Sequence, residues 1–105
     1  MKAKTLGMLA LTGGILVATQ ANAADPATLA RDKGCLACHT VDKKIVGPAY
    51  KDVAAKYKGQ DVLEKLVKKV KNGGKGVWGE IPMPPNAAVS EDDIRTIVKW
   101  VLSLK

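Results

Sequence analysis

The sequence predicts an all-α domain of about four short helices joined by long loops. Apolar residues recur at helical spacing in several segments, and helix-capping residues precede some of them. No segment alternates apolar and polar residues between hairpin turns as strands do. The chain has 105 residues with 47% hydrophobic and 26% charged, which suits one globular domain. These values exclude a multidomain enzyme, a polytopic membrane protein and a disulfide-dense scaffold.

Residues 1–23 have the features of a secretory signal peptide. Two lysines precede an apolar stretch at residues 6–17, and Ala21-Asn22-Ala23 forms a small-residue cleavage site. The apolar stretch is too short to cross a bilayer core of roughly 30 Å, so a membrane anchor is disfavoured. We therefore expect export to the periplasm, no stable membrane insertion, and a mature domain of residues 24–105.

Two helices are expected in the first half of this domain. Asp25 is a favourable cap and Pro26 suits the first helical position, so the first helix should run to about Lys33. Residues 48–59 begin with a proline, carry apolar residues at helical spacing and end with a glycine, which predicts the second helix. The intervening residues 40–47 are expected to form a loop.

Two more helices are expected in the second half. Asp61 and Glu64 resemble a capping box, and the apolar stripe that follows predicts the third helix. Ser90 is expected to cap the fourth helix, whose first turn carries three acidic residues. Residues 73–89 are rich in glycine and proline, so we expect a loop that packs against something other than protein. Aromatic residues make up only 4% of the chain, which leaves few bulky side chains for a core.

The motif Cys35-x-x-Cys38-His39 carries the chemistry. This spacing is typical of c-type haem attachment, in which two thiols three residues apart add to the two vinyl groups of one haem. His39 would then present its imidazole to the iron. A thioredoxin-like dithiol is a weaker alternative because it needs a βαβ setting. A zinc site is also weaker because it usually needs four ligands, and the mature domain has three Cys and His residues.

Met83 is the candidate for the second axial ligand of the iron. It is the one methionine of the mature domain and lies in Ile81-Pro82-Met83-Pro84-Pro85. A lone methionine more often fills a core, but prolines on both sides stiffen this glycine-rich loop and suit it to hold a sulfur in place. Methionine and histidine ligation raises the reduction potential of a haem. Because both axial positions would be filled, we expect an electron carrier and not an enzyme.

Several longer stretches give the chain a specific resemblance. They are Lys33-Gly34-Cys35-x-x-Cys38-His39, Val46-Gly47-Pro48-Ala49-Tyr50, Gly76-Val77-Trp78-Gly79, Ile81-Pro82-Met83-Pro84-Pro85 and Lys99-Trp100-Val101-Leu102-Ser103. With these stretches, residues 24–105 resemble the small class I cytochromes c of the bacterial periplasm, of the cytochrome c-551 type. The resemblance implies the class I cytochrome c fold wrapped around one covalently bound haem c. It also implies thioether bonds from Cys35 and Cys38, with His39 and Met83 as axial ligands.

The resemblance implies supporting roles for four further residues. The Pro48 carbonyl would accept a hydrogen bond from the other ring nitrogen of His39, which fixes the tautomer and orientation of the ring. Asn86 would form a hydrogen bond near the methionine sulfur. Trp78 would donate its indole N–H to a haem propionate, and Lys69 would lie near a propionate.

The positive charge of the chain is compatible with acidic redox partners. Lys and Arg total 17 against 10 Asp and Glu, a formal net charge of +7. A solvated helix face is the favoured interpretation for most of one group of lysines, and a basic rim that steers acidic partners is the alternative: Lys65, Lys68, Lys69, Lys71 and Lys75. An apolar surround is expected at an exposed haem edge, from Val46, Ala49, Ile81 and Pro84. Secretion and the lack of an aromatic-basic pattern disfavour nucleic acid as a partner.

The sequence thus predicts a monomeric periplasmic carrier that shuttles single electrons between respiratory redox proteins. The expected donor is a quinol-oxidising membrane complex, and the acceptor is a terminal reductase, oxidase or peroxidase. The alternative is a haem enzyme or gas sensor of the peroxidase type, in which Met83 would be readily displaced. That alternative is disfavoured because the chain has no second histidine. A small protein core also predicts that the chain without haem is largely unfolded.

Overall fold

Four helices and a short hairpin make up the structure, a computed structural model that describes residues 25–105. The predicted signal peptide, residues 1–23, lies outside the described residues. In chain order the elements are α1 Pro26–Asp32, a 3₁₀ turn Cys35–Ala37, α2 Tyr50–Lys56, α3 Leu63–Asn72, β1 Gly74–Gly76, β2 Gly79–Met83 and α4 Glu91–Leu102. Among residues 25–105, no helix is both long and apolar enough to cross a bilayer.

The predicted caps of α1 and α4 are confirmed. The Asp25 carboxylate accepts a hydrogen bond from the Thr28 amide at 3.2 Å, and Pro26 occupies the first position of α1. At α4, the Ser90 hydroxyl accepts a hydrogen bond from the Asp93 amide at 3.1 Å. Each cap satisfies an amide that has no partner within its own helix.

The predicted capping box of α3 is wrong. Val62 is the residue that precedes α3, and no side chain caps this end of the helix. The Glu64 carboxylate faces α4 instead, where it accepts hydrogen bonds from Arg95 Nε at 2.7 Å and Nη2 at 2.8 Å. A bidentate hydrogen bond from a guanidinium is stronger than the single bond that the Asp61 amide would donate to Glu64 in a capping box.

The second helix is shorter than predicted. We expected residues 48–59, whereas α2 spans Tyr50–Lys56. Ala49 has an extended backbone, with φ −60° and ψ 142°, so the helix cannot begin at Pro48. The Pro48 carbonyl is therefore left outside the hydrogen-bonding pattern of α2.

A hairpin occupies part of the segment that we expected to lack regular structure. Strands β1 and β2 pair antiparallel, with Gly74 opposite Met83 and Gly76 opposite Gly79. All three glycines have positive φ, between 107° and 151°, a region that other residues rarely adopt. These glycines therefore allow the chain to form the hairpin, although they give the sequence no alternating strand pattern. The expectation of no strands is wrong for residues 74–83.

Helix α4 forms the centre of the core. One cluster joins it to α1 and α2, and its buried members are Ala30, Tyr50, Ile97 and Val101. A second cluster joins it to α3, and its buried members are Val67, Ile94 and Val98. The four buried α4 residues of these clusters, Ile94, Ile97, Val98 and Val101, also line a cavity.

Candidate haem site

A cavity of about 1340 Å³, which includes the solvent at its open side, lies against α3 and α4. The 3₁₀ turn, α2 and the hairpin complete its wall. The four residues expected to hold the haem and its iron all line it: Cys35, Cys38, His39 and Met83. The four residues expected to support them also line it: Pro48, Lys69, Trp78 and Asn86. The fold therefore brings all eight candidates to one cavity.

The 3₁₀ turn presents both cysteines to this cavity. Gly34 precedes the turn with φ 84°, a left-handed conformation in which the chain reverses after α1. The turn is closed by hydrogen bonds from the amides of Cys38 and His39 to the Cys35 carbonyl, at 3.2 and 3.1 Å. Both cysteines are half-buried free thiols. Both are therefore available for thioether bonds to a group held in the cavity.

His39 is held so that one ring nitrogen stays available. Its Nδ1 lies 2.8 Å from the Pro48 carbonyl oxygen. A carbonyl oxygen only accepts hydrogen bonds, so Nδ1 is the donor in this contact and Nε2 is the ring nitrogen left to bind a metal. The Tyr50 ring stacks on the imidazole with centroids 4.8 Å apart, and Trp100 packs edge-on against Tyr50 at 5.7 Å. This arrangement orients the imidazole so that Nε2 can bind a metal.

Gly47 lies directly against the His39 ring. A Cβ placed on Gly47 would approach the His39 Cε1 atom, and it would lie 2.8 Å from Nδ1 and 2.9 Å from Nε2. The Gly47 amide also donates a hydrogen bond to the Cys38 carbonyl at 2.6 Å, which holds the backbone in this position. The requirement for glycine is therefore one of space and not of backbone conformation.

A Gly47→Ala substitution should displace the His39 ring. We expect the free energy of unfolding of the haem-loaded protein to fall by about 1–3 kcal/mol, the usual cost of overpacking. Denaturant unfolding and the optical spectrum of the ferric protein measure the two effects. Gly59→Ala is the control for the spectrum: a Cβ there meets nothing within 4 Å, so the His39 ring should keep its place, although the φ of 78° strains alanine and lowers stability in that variant as well. A Gly47→Ala protein with an unperturbed spectrum and wild-type stability would contradict this contact.

Met83 ends the hairpin at the cavity wall, where its side chain is partly buried. Its backbone pairs with Gly74 on the opposite strand. After Met83 the chain is braced by Asn86, whose Nδ2 donates to the carbonyls of Val70 at 3.2 Å and Pro84 at 3.3 Å. The methionine is thus fixed by the hairpin on one side and by a side-chain bridge to α3 on the other.

An indole ring and two lysines lie in or beside the wall of the cavity. Trp78 is in the hairpin turn with 42% of its surface exposed. The Lys56 ammonium lies 5.4 Å from the Trp78 ring centroid and 5.9 Å from that of Tyr57. Lys69 approaches Gly74, where a Cβ would lie 2.9 Å from its Nζ. Lysine ammonium groups and an indole N–H are donors for anionic carboxylates.

Apolar side chains also surround the opening. Ile81 is 61% exposed and Val46 is 49% exposed, and both line the cavity. Pro84 is exposed and lines it as well. Ala49 does not line the cavity. It is 1% exposed and belongs to the core, so its expected place at the haem edge is wrong. Exposed apolar groups around a cavity mouth are typical of an interaction site.

The environment of Cys35 differs from that of a redox-active thiol. Burial raises the pKa of the Cys35 thiol above its ordinary value, and a hydrogen bond with Tyr50 opposes this only in part. Cysteines of thiol oxidoreductases have lowered pKa values, because the thiolate is the nucleophile. The dithiol alternative is therefore disfavoured by this environment, and residues 25–105 contain no βαβ unit in which such a dithiol would sit.

The sequence alone does not reveal the roles of three residues, Gly47 and Tyr50 in the cavity wall and Lys71 at the end of α3. Gly47 and Tyr50 belong to a stretch that carries the family resemblance, and that was the only signal for them. Lys71 was grouped with the charged surface, whereas its Nζ donates hydrogen bonds to the carbonyls of Ala87 and Val89. The sequence holds no signal for such a contact, because both acceptors are backbone atoms far along the chain.

Comparison with known proteins covers nearly all of the described chain. The family model for cytochrome c matches residues 23–105. The chain belongs to the cytochrome c family. It is 58% identical to cytochrome c-551 of Pseudomonas aeruginosa over 90% of this chain and 91% of that protein. It is 48% identical to cytochrome c-552 of Nitrosomonas europaea over the full length of both.

Solved structures agree with this assignment. The crystal structure of wild-type cytochrome c552 from Nitrosomonas europaea matches with a TM-score of 0.73 and 51% identity. The match covers 75% of this chain and 99% of that one. The class I cytochrome c fold predicted from the sequence is confirmed, and with it covalently bound haem c as the cofactor. These cytochrome c relatives support one-electron transport and not the peroxidase-type or gas-sensing alternative, so the chain is a carrier and not an enzyme.

Proposed function

We propose that His39 and Met83 bind the haem iron and that Cys35 and Cys38 form the two thioether bonds. The 2.8 Å contact between His39 Nδ1 and the Pro48 carbonyl carries this proposal, because it leaves Nε2 free for a metal. Met83 supplies the one thioether of the mature domain and lines the same cavity. When bound, haem c supplies reversible one-electron chemistry between ferric and ferrous iron.

Three further residues support this site in the proposal. Trp78 and Lys69 hold the haem propionates at the open side of the cavity, where the Trp78 indole and the Lys69 ammonium can donate hydrogen bonds to them. Asn86 keeps the backbone after Met83 in position through its bonds to Pro84 and α3. Each of these residues orients the group or its ligand, and none of them reacts.

Electrons leave and enter through the open side of the cavity in this proposal. The exposed apolar side chains of Val46, Val77 and Ile81 form a small patch there. Lys44 and Lys69 line the cavity and the Lys56 ammonium lies over Trp78, which gives that side positive charge, whereas the Lys75 ammonium is paired with the Glu80 carboxylate at 3.4 Å. A small apolar patch with a basic rim suits brief encounters with acidic redox proteins. The donor is a quinol-oxidising complex, and the acceptor is a terminal reductase, oxidase or peroxidase.

The proposed compartment is the periplasm. The features of residues 1–23 support export through a cleaved signal peptide, after which residues 24–105 act as a monomer. Haem attached through two thioether bonds cannot be lost from a small exported protein, which suits a carrier that diffuses between membrane complexes.

A redox titration of the haem-loaded protein tests this function. We expect a single one-electron transition that is fully reversible. We also expect the ferrous protein to bind carbon monoxide poorly and the ferric protein not to turn over hydrogen peroxide, because both axial positions are filled. Rapid binding of carbon monoxide together with peroxide turnover would favour the enzyme or sensor alternative and overturn the proposal.

A further inference from the structure

Lys71 reaches from the last turn of α3 to the chain that follows Met83. Its Nζ donates a hydrogen bond to the Ala87 carbonyl at 2.9 Å and another to the Val89 carbonyl at 2.6 Å. The Lys71 side chain is partly buried at this contact. A lysine that bridges two backbone carbonyls loses the rotamer freedom that a solvated lysine keeps. Its two hydrogen bonds in turn restrain the backbone that accepts them.

The neighbours of Lys71 contact the same segment. The Val70 carbonyl, one of the last four of α3, accepts a hydrogen bond from the Asn86 amide at 3.0 Å. Gly73 follows the helix with φ 77°, and a Cβ there would lie 2.6 Å from the Met83 oxygen. The end of α3 therefore contacts the segment of residues 83–89 near its start at Met83, in its middle at Asn86 and near its end at Val89. We call this set of contacts, made by Val70, Lys71 and Gly73, the α3 clamp.

The composition of residues 83–89 explains why an external clamp is needed. Pro84 and Pro85 have no amide hydrogen, so this part of the segment cannot form its own hydrogen-bonded turn. Within the segment the backbone has one hydrogen bond, from the Val89 amide to the Asn86 carbonyl. Met83 also pairs with Gly74, and the Asn86 side chain donates to the Pro84 carbonyl. The hydrogen bonds that hold the segment against a helix come from α3, and within the clamp Lys71 supplies the charge-assisted ones.

We infer that Lys71 is a positioning residue for the Met83 ligand. By fixing the carbonyls of Ala87 and Val89 on α3, it keeps the segment closed over the cavity and holds the sulfur against displacement by external ligands. This inference rests on the proposed role of Met83. It gives Lys71 a task different from that of Lys65, which is exposed on the same helix and, within residues 25–105, donates no comparable hydrogen bond to the segment after Met83.

Imidazole binding to the ferric, haem-loaded protein tests the inference. We expect Lys71→Met to bind imidazole at least about tenfold more tightly than wild type does. That factor corresponds to the loss of one charge-assisted hydrogen bond from the closed state. Lys71→Arg keeps the donors and should restore most of the wild-type affinity. Lys65→Met removes the same charge from the same helix and should bind imidazole like wild type.

The intensity of the weak long-wavelength sulfur-to-iron band provides a second readout. It should weaken in Lys71→Met at temperatures well below unfolding and stay unchanged in Lys65→Met, a pattern that a loss of global stability alone would not produce. Should Lys71→Met fail to fold, Lys71→Gln keeps an uncharged donor of shorter reach and should bind imidazole with intermediate affinity. Wild-type affinity and band intensity in both Lys71→Met and Lys71→Gln would overturn the inference.

The same spectra separate this inference from the proposed function. If wild-type ferric protein lacks the sulfur-to-iron band, the assignment of Met83 as ligand fails and the role of Lys71 fails with it. If wild type shows the band but replacing Lys71 changes neither the band nor imidazole affinity, the Met83 assignment stands and only the positioning role is wrong.

Discussion

A Met83→Ala variant is expected to have a markedly lower reduction potential than wild type. A thioether ligand stabilises ferrous over ferric iron, and no other methionine remains in residues 24–105 to replace it. Axial ligands set haem potentials over a range of about 0.8 V, so we expect a fall on the order of 0.1 V or more. The vacated position should also bind imidazole and carbon monoxide, which wild type resists. Potentiometric titration measures the first effect and optical ligand titration the second.

Ile45→Ala is a suitable control for Met83→Ala. Ile45 is an apolar residue with 45% of its surface exposed, and it does not line the cavity. Its truncation should leave the potential and the ligand affinity as they are in wild type. A Met83→Ala protein with an unchanged potential would show that the sulfur of Met83 is not an iron ligand.

The second large effect concerns folding. A chain with Cys35→Ala and Cys38→Ala, prepared without haem, should lose most of its helical circular dichroism signal. The largest fully buried side chains of the described residues are only Ile94 and Val67. Ile97, which joins α4 to α1 and α2, also faces the cavity. A core this small buries too little apolar area to offset the conformational entropy of the chain.

A variant that lacks only one cysteine adds an intermediate point to this folding test. Cys35→Ala alone keeps one attachment site and should give a haem-bound protein of intermediate stability against denaturant. The wild-type holoprotein supplies the upper reference. A native-like helical spectrum from the double variant without haem would show that the protein core suffices for folding, and it would contradict the structural role that we assign to the cofactor.

The helices and the site were predictable because their signals are local. Asp25 and Ser90 cap their helices through contacts three residues away, which a sequence displays directly. The cysteine and histidine motif likewise spans a single turn. Glu64 shows the limit of such reasoning, since its spacing from Asp61 fits a capping box but its carboxylate binds Arg95 of another helix, 31 residues on.

The contacts that support the site were not predictable because they depend on distant backbone atoms. Lys71 donates to carbonyls 16 and 18 residues away, and any residue type at those positions would offer the same acceptor. Gly47 matters through the space it leaves for His39, which no local pattern reveals. The hairpin was missed since β1 is Gly-Lys-Gly and both strands are mostly exposed, so neither carries the alternation of a half-buried strand.

The most direct test of the account is the optical spectrum of the haem-loaded protein, recorded oxidised and then reduced. Ligation by His39 and Met83 predicts a low-spin c-type spectrum with the weak long-wavelength sulfur-to-iron band in the oxidised form. A high-spin oxidised spectrum without that band would show an open sixth position on the iron and would contradict the central claim that both axial ligands come from this chain.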